Sequence, residues 1–319
     1  MPDPGLFLKA TVAATGASAV FVLALGCVRR PEFTSRMNLA CVLGVALGLM
    51  LGLFLLDLRP DWPPAKGLDR FLTVILPAAL AIELVIASYW PPCWLIWTLR
   101  LGLTAVVGRI ILHDSIYLVG PRSWTAWQMV LALAACGCLL ATVWGLLVCL
   151  SRSAKDVSIL FAISQATICA SFIAMMAGYV TGGAAALPLA AALAGTAMAS
   201  WIIVPRHAIE GTIGIGLVGL FGLLLIYRFF GGMTTTQALV IFCSPLLCWF
   251  TEFPKGRRRA PWLVGLVRLA LVAIPLIAVL FLAKRKFDRD MGPLLGNAAI
   301  SPHEFRASEP TGLIHTLAV

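Results

Sequence analysis

The chain carries little charge for its length. Of its 319 residues, 12% are charged and 61% are hydrophobic, and the mean hydropathy is +0.96. A soluble domain has about 25% charged residues, so this chain has too few polar side chains to cover a surface that faces water. The composition therefore excludes an ordinary water-soluble globular protein.

Several patterns of chemical interest are also missing. Alternation of apolar and polar residues, which is typical of membrane barrels, is absent. The nine cysteines form no CxxC motif, and no group of cysteines and histidines has zinc-ligand spacing. No nucleic-acid recognition motif accompanies the net charge of +10. We therefore expect no disulfide framework, no metal, no cofactor and no nucleic-acid partner.

Repeated apolar runs of the length needed to cross a bilayer fill most of the chain. They predict an all-α, polytopic membrane protein, with lipids as partners, in a membrane of the bacterial cytoplasmic type. Residues 1–283 form one helical domain, and residues 284–319 form a polar tail that we expect to be mostly disordered. The predicted spans are 8–28, 38–57, 71–90, 94–112, 125–150, 158–180, 184–204, 211–229, 237–253 and 262–283.

The orientation in the membrane does not follow from the loops. Lysines and arginines divide equally between the two sides of the predicted bundle, so the positive-inside rule gives no preference. The basic loop of residues 254–261 has no acidic residue to offset its charge, which favours a cytoplasmic position for it and an external position for both termini.

Comparison of the chain with itself indicates an internal repeat. The stretch WLIWTLRLGLTAV at Trp94 returns as WLVGLVRLALVAI at Trp262, 168 residues later, with the arginine kept. We predict two copies of four spans, residues 8–112 and 184–283, with the spans of residues 125–180 between them. The even number of intervening spans gives both copies the same orientation, which places their symmetry axis along the membrane normal.

Two opposite charges, Glu83 and Arg100, lie within the apolar stretch AIELVIASYWPPCWLIWTLRLGL. The turn between the third and fourth spans centres near Pro92, and both residues lie about 12–13 Å along their helices from it. Antiparallel neighbours place equal depths side by side, and an unpaired charge at depth costs several kcal/mol. We therefore predict a Glu83–Arg100 ion pair within a helical hairpin. It serves either as a structural staple or as a site for an ion, a proton or an anionic substrate.

The second copy keeps the arginine but shifts the glutamate. Arg268 lies inside the tenth span, whereas Glu252 ends the ninth, and this difference in depth argues against a pair between them. If Arg100 and Arg268 instead face a cleft between the copies, they predict a polar or anionic ligand site there. Gln165 on the sixth span is a further candidate for that site. No residue is predicted to be catalytic or to bind a metal or a cofactor.

Other motifs favour packing over chemistry. The glycine-rich residues 211–222 lack the preceding strand and the lysine of a phosphate-binding loop, and they predict close helix contacts. The hydroxyl groups of Ser164 and Ser171 are expected to bond backbone carbonyls or neighbouring helices. Arg109 and His113 share a helix face at the end of the fourth span, as in an interfacial cluster.

Three functions compete on this evidence. The first is a transporter-like protein whose polar site lies between the repeat halves and binds a small molecule. The second is a non-catalytic membrane subunit or scaffold that contacts another membrane protein and uses Glu83–Arg100 as a structural pair. The third, an intramembrane lipid-modifying enzyme, would need several carboxylates, histidines or a metal site near one face. The sequence contains no such set, and we do not expect an enzyme.

Overall fold

A computed structural model of the protein describes residues 4–27, 33–89, 91–115, 124–154, 157–203, 210–252 and 261–297. The chain in these ranges is helical and contains no strand, which confirms the all-α class. The helices are α1 (Pro4–Gly26), α2 (Phe33–Leu55), α3 (Gly67–Tyr89), α4 (Cys93–Ile111), α5 (Ala126–Ala154), α6 (Ser158–Met176), α7 (Val180–Ile203), α8 (Glu210–Phe230), α9 (Thr235–Cys243) and α10 (Pro261–Asn297).

Nine helices within the described ranges are long and apolar enough to cross a membrane, so the protein is a multi-pass membrane protein. The predicted ninth span, 237–253, differs. There, α9 gives way to a 3₁₀ helix, Ser244–Glu252. Pro245 has no backbone N–H, so the carbonyl of Ile241 loses its α-helical donor. The hydroxyl of Ser244 donates to that carbonyl at 2.8 Å.

The bundle has two polar ends. At one end, which we call the Glu210 face, Arg152 near the end of α5 pairs with Glu210 at the start of α8. At the other end, the Asp114 face, Arg70 near the start of α3 pairs with Asp114 just after α4. Each face thus joins helix ends that are distant in the sequence.

The α9 segment and its 3₁₀ extension run from the Asp114 face to the Glu210 face. At its start, Thr235 accepts a hydrogen bond from Arg228 near the end of α8. At its other end, Glu252 binds Arg268, which also donates to Ser158 at the start of α6. With the ideal rise per residue of each helix type, α9 and its 3₁₀ extension have a combined length of about 31 Å. This is close to the roughly 30 Å thickness of the hydrocarbon core of a bilayer. This segment therefore has the length and the end points of a tenth crossing.

Reporter fusions test whether the α9 segment is a tenth crossing. We expect a reporter fused after Met233 and one fused after Trp262 to report opposite sides of the membrane, because the α9 segment lies between them. A paired alkaline phosphatase and green fluorescent protein fusion series measures the side. Equal signals at the two sites would mean that the segment enters and leaves on one side.

Helix α8 lies at the centre of the bundle, with 83% of its apolar window buried. Its glycines lie where neighbouring helices come closest. A Cβ atom added at Gly216 would lie 3.0 Å from Leu193 of α7, and one added at Gly222 would lie 2.5 Å from Phe71 of α3. The close contacts predicted for residues 211–222 are confirmed.

Three helices, α1, α2 and α7, meet along a line of small residues that we call the α1–α2–α7 seam. A Cβ atom added at Gly48 of α2 would lie 2.6 Å from the carbonyl oxygen of Ala14 and 3.0 Å from the Cβ of Ala192. Across the same seam, the hydroxyl of Ser18 donates to the carbonyl of Ala192 at 2.8 Å. Within a bilayer the hydrophobic effect does not drive helices to associate, so close backbone packing and such hydrogen bonds hold them together.

The last helix extends beyond its predicted end. It continues to Asn297, so residues 284–297 of the tail that we expected to be mostly disordered are helical. Lys284 and Asp288, like Lys286 and Asp290, are opposite charges four residues apart, a spacing that stabilises a helix. The rest of the predicted tail, residues 298–319, and most of the basic loop lie outside the described residues.

Candidate functional site: the Glu83–Arg100 ion pair

Glu83 of α3 and Arg100 of α4 form a bidentate ion pair in the interior. The Nε of Arg100 donates to Oε1 of Glu83 at 2.9 Å, and the Nη2 donates to Oε2 at 2.9 Å. Glu83 is 0% exposed and Arg100 is 2% exposed. Two parallel charge-assisted bonds fix both the distance and the orientation of the two head groups.

Two tryptophans flank the guanidinium group of Arg100. Its central carbon lies 5.8 Å from the ring centre of Trp97, which precedes it by one helical turn on α4, and 5.2 Å from that of Trp144 on α5. A cation within about 6 Å of an indole face is attracted to it, and more strongly where water is excluded. Arg100 therefore links three helices, through its carboxylate partner on α3 and through the indole of α5.

The carboxylate of Glu83 also lies against the first turn of α8. A Cβ atom added at Gly214 would lie 2.5 Å from Oε1 of Glu83 and 2.7 Å from Cζ2 of Trp144, and one added at Gly211 would lie 3.3 Å from Oε2. Glycine thus leaves room for the carboxylate to approach.

We expect Gly214→Ala to lower the free energy of unfolding by about 1–3 kcal/mol, because the added methyl group would overpack the ion pair. Thermal unfolding of the purified protein in detergent measures the change. Gly102→Ala on α4 is the matched control, since an added Cβ there meets nothing within 4 Å. Equal stability of the two variants would contradict the close approach at Gly214.

Arg268 and Glu252 also pair, so the sequence argument against this contact is wrong. The Nη2 of Arg268 donates to Oε1 of Glu252, and its Nε donates to the hydroxyl of Thr251 at 2.7 Å. Helical side chains lean toward the N-terminus of their own helix. Arg268 therefore leans toward the Glu210 face and Glu252 leans inward, and the two head groups meet although their backbone depths differ.

The two arginines share one local feature of the predicted repeat. Thr251 lies 168 positions after Glu83, and the Nε of each arginine bonds the residue 17 positions before it. The helix packing is less symmetric. The repeat relates α1 to α7 and α2 to α8, so a contact between α2 and α7 should have a counterpart between α8 and α1. Among the described residues α2 packs extensively against α7, but α1 and α8 have no comparable contact. The repeat stays a prediction.

Arg100 and Arg268 share no partner among the contacts described above. Arg100 contacts residues of α3, α4 and α5, whereas Arg268 bonds Ser158 of α6, Thr251 and Glu252. Each arginine thus binds the hairpin partner that precedes it in the sequence. The shared cleft that would place both at a ligand site is not formed by these contacts.

The polar residues of α6 behave as expected, with one exception. The hydroxyl of Ser164 donates to the carbonyl of Ala190 at 2.8 Å, and that of Ser171 donates to the carbonyl of Gly183 at 2.7 Å. Both bonds tie α6 to α7. The side-chain oxygen of Gln165, in contrast, is buried without a hydrogen-bond partner in the described structure.

The pair at the Glu210 face could not be found from local sequence. Arg152 donates from Nε and Nη2 to the two carboxylate oxygens of Glu210 at 2.8 and 2.9 Å. Its residues are 58 positions apart and partly exposed, at 58% and 28% of their side chains. The only sequence signal is that an acid starts one span and a base ends another.

The Asp114 face holds a second polar cluster. Asp114 accepts from Nη2 of Arg70 at 2.9 Å and contacts Nδ1 of His113 at 2.7 Å. Nearby in the sequence, Arg109 contacts the sulfur of Met129 instead of His113. In the turn after α6, burial raises the pKa of Tyr179 above its ordinary value, and the charge of Asp69 adds to the effect. This cluster lies at helix ends on the Asp114 face, and its position at the membrane boundary stays a prediction.

Within the described ranges, no group of three or more histidine, cysteine, aspartate or glutamate side chains is placed to hold a metal ion. No known protein family, curated protein or solved structure matches this chain.

Proposed function

We propose that this protein is a non-catalytic subunit or scaffold of a membrane, in which the Glu83–Arg100 pair fastens the α3–α4 hairpin to α5 and α8. The observation that carries this proposal is the enclosure of the pair. Each carboxylate oxygen accepts a hydrogen bond from Arg100, and the two residues are 0% and 2% exposed. The charges satisfy each other and leave little carboxylate surface for a solute.

A structural role also fits the energetics of such pairs. Burying two charges gives little net stability, but removing one partner leaves an uncompensated charge and is strongly destabilising. A pair of this kind therefore acts mainly by penalising wrong arrangements of the helices. Here a shift of α3 along α4 by one residue would break the two hydrogen bonds between Arg100 and Glu83.

The experiment compares Glu83→Gln, Arg100→Gln and the double variant in cells that depend on the protein. We expect each single change to lower the amount of folded protein in the membrane and the double change to restore much of that amount and the growth phenotype. The amounts are measured by quantitative blotting of membranes. Normal amounts in all three variants, with the phenotype lost in all three, would contradict a structural role and favour a functional one.

A second candidate function is transport of a polar solute. It is supported by two buried side-chain oxygens that lie outside the Glu83–Arg100 pair. The side-chain oxygens of Gln165 on α6 and of Thr212 on α8 are both buried and have no hydrogen-bond partner in the described structure. Buried polar atoms without partners are rare, and a bound polar ligand or water is one explanation for them. Each of these oxygens, and not the arginines, would accept a hydrogen bond from such a solute.

The variant Gln165→Leu separates the two candidates. If the protein is a scaffold, we expect the midpoint of thermal unfolding to stay level or rise, because an unsatisfied buried group is removed, and the phenotype to be unchanged. Loss of the phenotype at normal stability would favour transport. Ser164→Ala, which removes a satisfied hydroxyl from the neighbouring position, is the control for general damage to α6.

A further inference from the structure

A groove opens between α6 and α10 toward the Asp114 face. The two helices touch where the thiol of Cys169 lies 3.5 Å from the carbonyl oxygen of Leu276. Beyond this contact the groove is open to its surroundings and has a volume of about 500 Å³. Its lining residues are Phe172, Met175, Met176, Ile277, Leu280, Phe281 and Lys284.

The walls of the groove are apolar and their outer residues are exposed. Phe172 is 46% exposed, Ile277 is 64% exposed and Phe281 is 52% exposed. All three lie within helices that are long and apolar enough to span the membrane. The occupant of this groove is therefore apolar over most of its length, and methionine side chains let the walls adapt to a flexible chain.

Basic residues lie next to one end of the groove. Lys284 contributes only its aliphatic stem to the apolar lining, so its ammonium group lies beyond the lining. The guanidinium carbon of the adjacent Arg285 lies 4.4 Å from the ring centre of Phe281, which is itself a wall residue. The segment KRKFDRD, which starts at Lys284, has four basic and two acidic residues. An apolar groove that ends beside a segment of net positive charge fits an acyl chain joined to a negatively charged head group.

We propose that this groove binds one anionic phospholipid of the surrounding bilayer, with an acyl chain between α6 and α10 and the phosphate at Lys284. A second copy of the protein is a poorer occupant. A two-fold interface here would bring the same basic segment of each copy together, and like charges repel. The proposal concerns a different part of the fold from Glu83 and Arg100 and does not depend on the function proposed above.

Native mass spectrometry of the purified full chain tests the proposal with two lipids of identical tails, dioleoyl phosphatidylglycerol and dioleoyl phosphatidylcholine. We expect one phosphatidylglycerol to be retained with about fivefold higher affinity than phosphatidylcholine, the size expected for one lysine near an anionic head group. Lys284→Gln should reduce this preference to near unity. Met176→Trp, which fills the groove, should lower the retention of both lipids.

Lys286→Gln is the matched control, because Lys286 belongs to the same basic segment but lies two residues on, on the other side of α10, and does not line the groove. It should keep the preference for phosphatidylglycerol. Equal retention of the two lipids by the unaltered protein would overturn the proposal without any variant. Equal losses in Lys284→Gln and Lys286→Gln would overturn it by showing a diffuse charge effect, and a lipid-free dimer that Met176→Trp dissociates would assign the groove to a second copy.

Discussion

Replacing Arg100 by glutamine should lower the free energy of unfolding by about 3–5 kcal/mol, because the carboxylate of Glu83 would remain buried without its cation. The change also removes the guanidinium group between Trp97 and Trp144. Unfolding of the purified variant in mixed detergent micelles, followed by circular dichroism, measures the loss. We expect a correspondingly large fall in the midpoint of thermal unfolding.

Arg152→Gln is a matched control for this variant. Arg152 makes the same bidentate contact with Glu210, at 2.8 and 2.9 Å, but its side chain is 58% exposed. Water screens such a pair, so its loss should cost about 0–1 kcal/mol. Similar losses for Arg100→Gln and Arg152→Gln would mean that burial is not what makes the Glu83–Arg100 pair important.

Replacing Gly195 by alanine should be the second large effect. An added Cβ at Gly195 of α7 would collide with the carbonyl oxygen of Thr15 and lie 3.0 Å from its carbonyl carbon. Backbone atoms cannot rotate away as side chains can, so α1 must shift from α7 along the whole seam. We expect a loss of about 1–3 kcal/mol in the free energy of unfolding, measured in the same micelles.

The control for Gly195→Ala is Gly16→Ala on α1, next to Thr15. An added Cβ at Gly16 meets nothing within 4 Å, and alanine is a better helix former than glycine by up to about 1 kcal/mol. Gly16→Ala should therefore leave stability unchanged or raise it slightly. If Gly195→Ala were as stable as Gly16→Ala, close backbone approach would not be what holds α1 on α7.

The class of protein and the α3–α4 hairpin could be predicted because they depend on local information. Composition and run length determine the membrane class, and the distances of Glu83 and Arg100 from Pro92 are simple multiples of the helical rise. The hydroxyl bonds of α6 were predictable for the same reason, because a buried serine has few alternatives to a backbone carbonyl.

What surrounds the pair could not be predicted. Trp144 and Gly214 lie on α5 and α8, and their positions depend on how distant helices pack, which no spacing in the sequence encodes. The contact between Arg268 and Glu252 was missed because backbone depth ignores the length and lean of an arginine side chain. The 3₁₀ helix of Ser244–Glu252 resembles an α-helical span in hydropathy. Pro245 does not distinguish it, because Pro188 of α7 and Pro275 of α10 lie inside α-helices.

The central claim is that Glu83 and Arg100 act as one structural unit, and a double-mutant cycle tests it most directly. The free energies of unfolding of the unaltered protein, Glu83→Gln, Arg100→Gln and the double variant are measured in the same micelles. The account predicts a coupling energy of at least about 2 kcal/mol, with the double variant more stable than Arg100→Gln alone. Additive losses, with a coupling energy near zero, would contradict it.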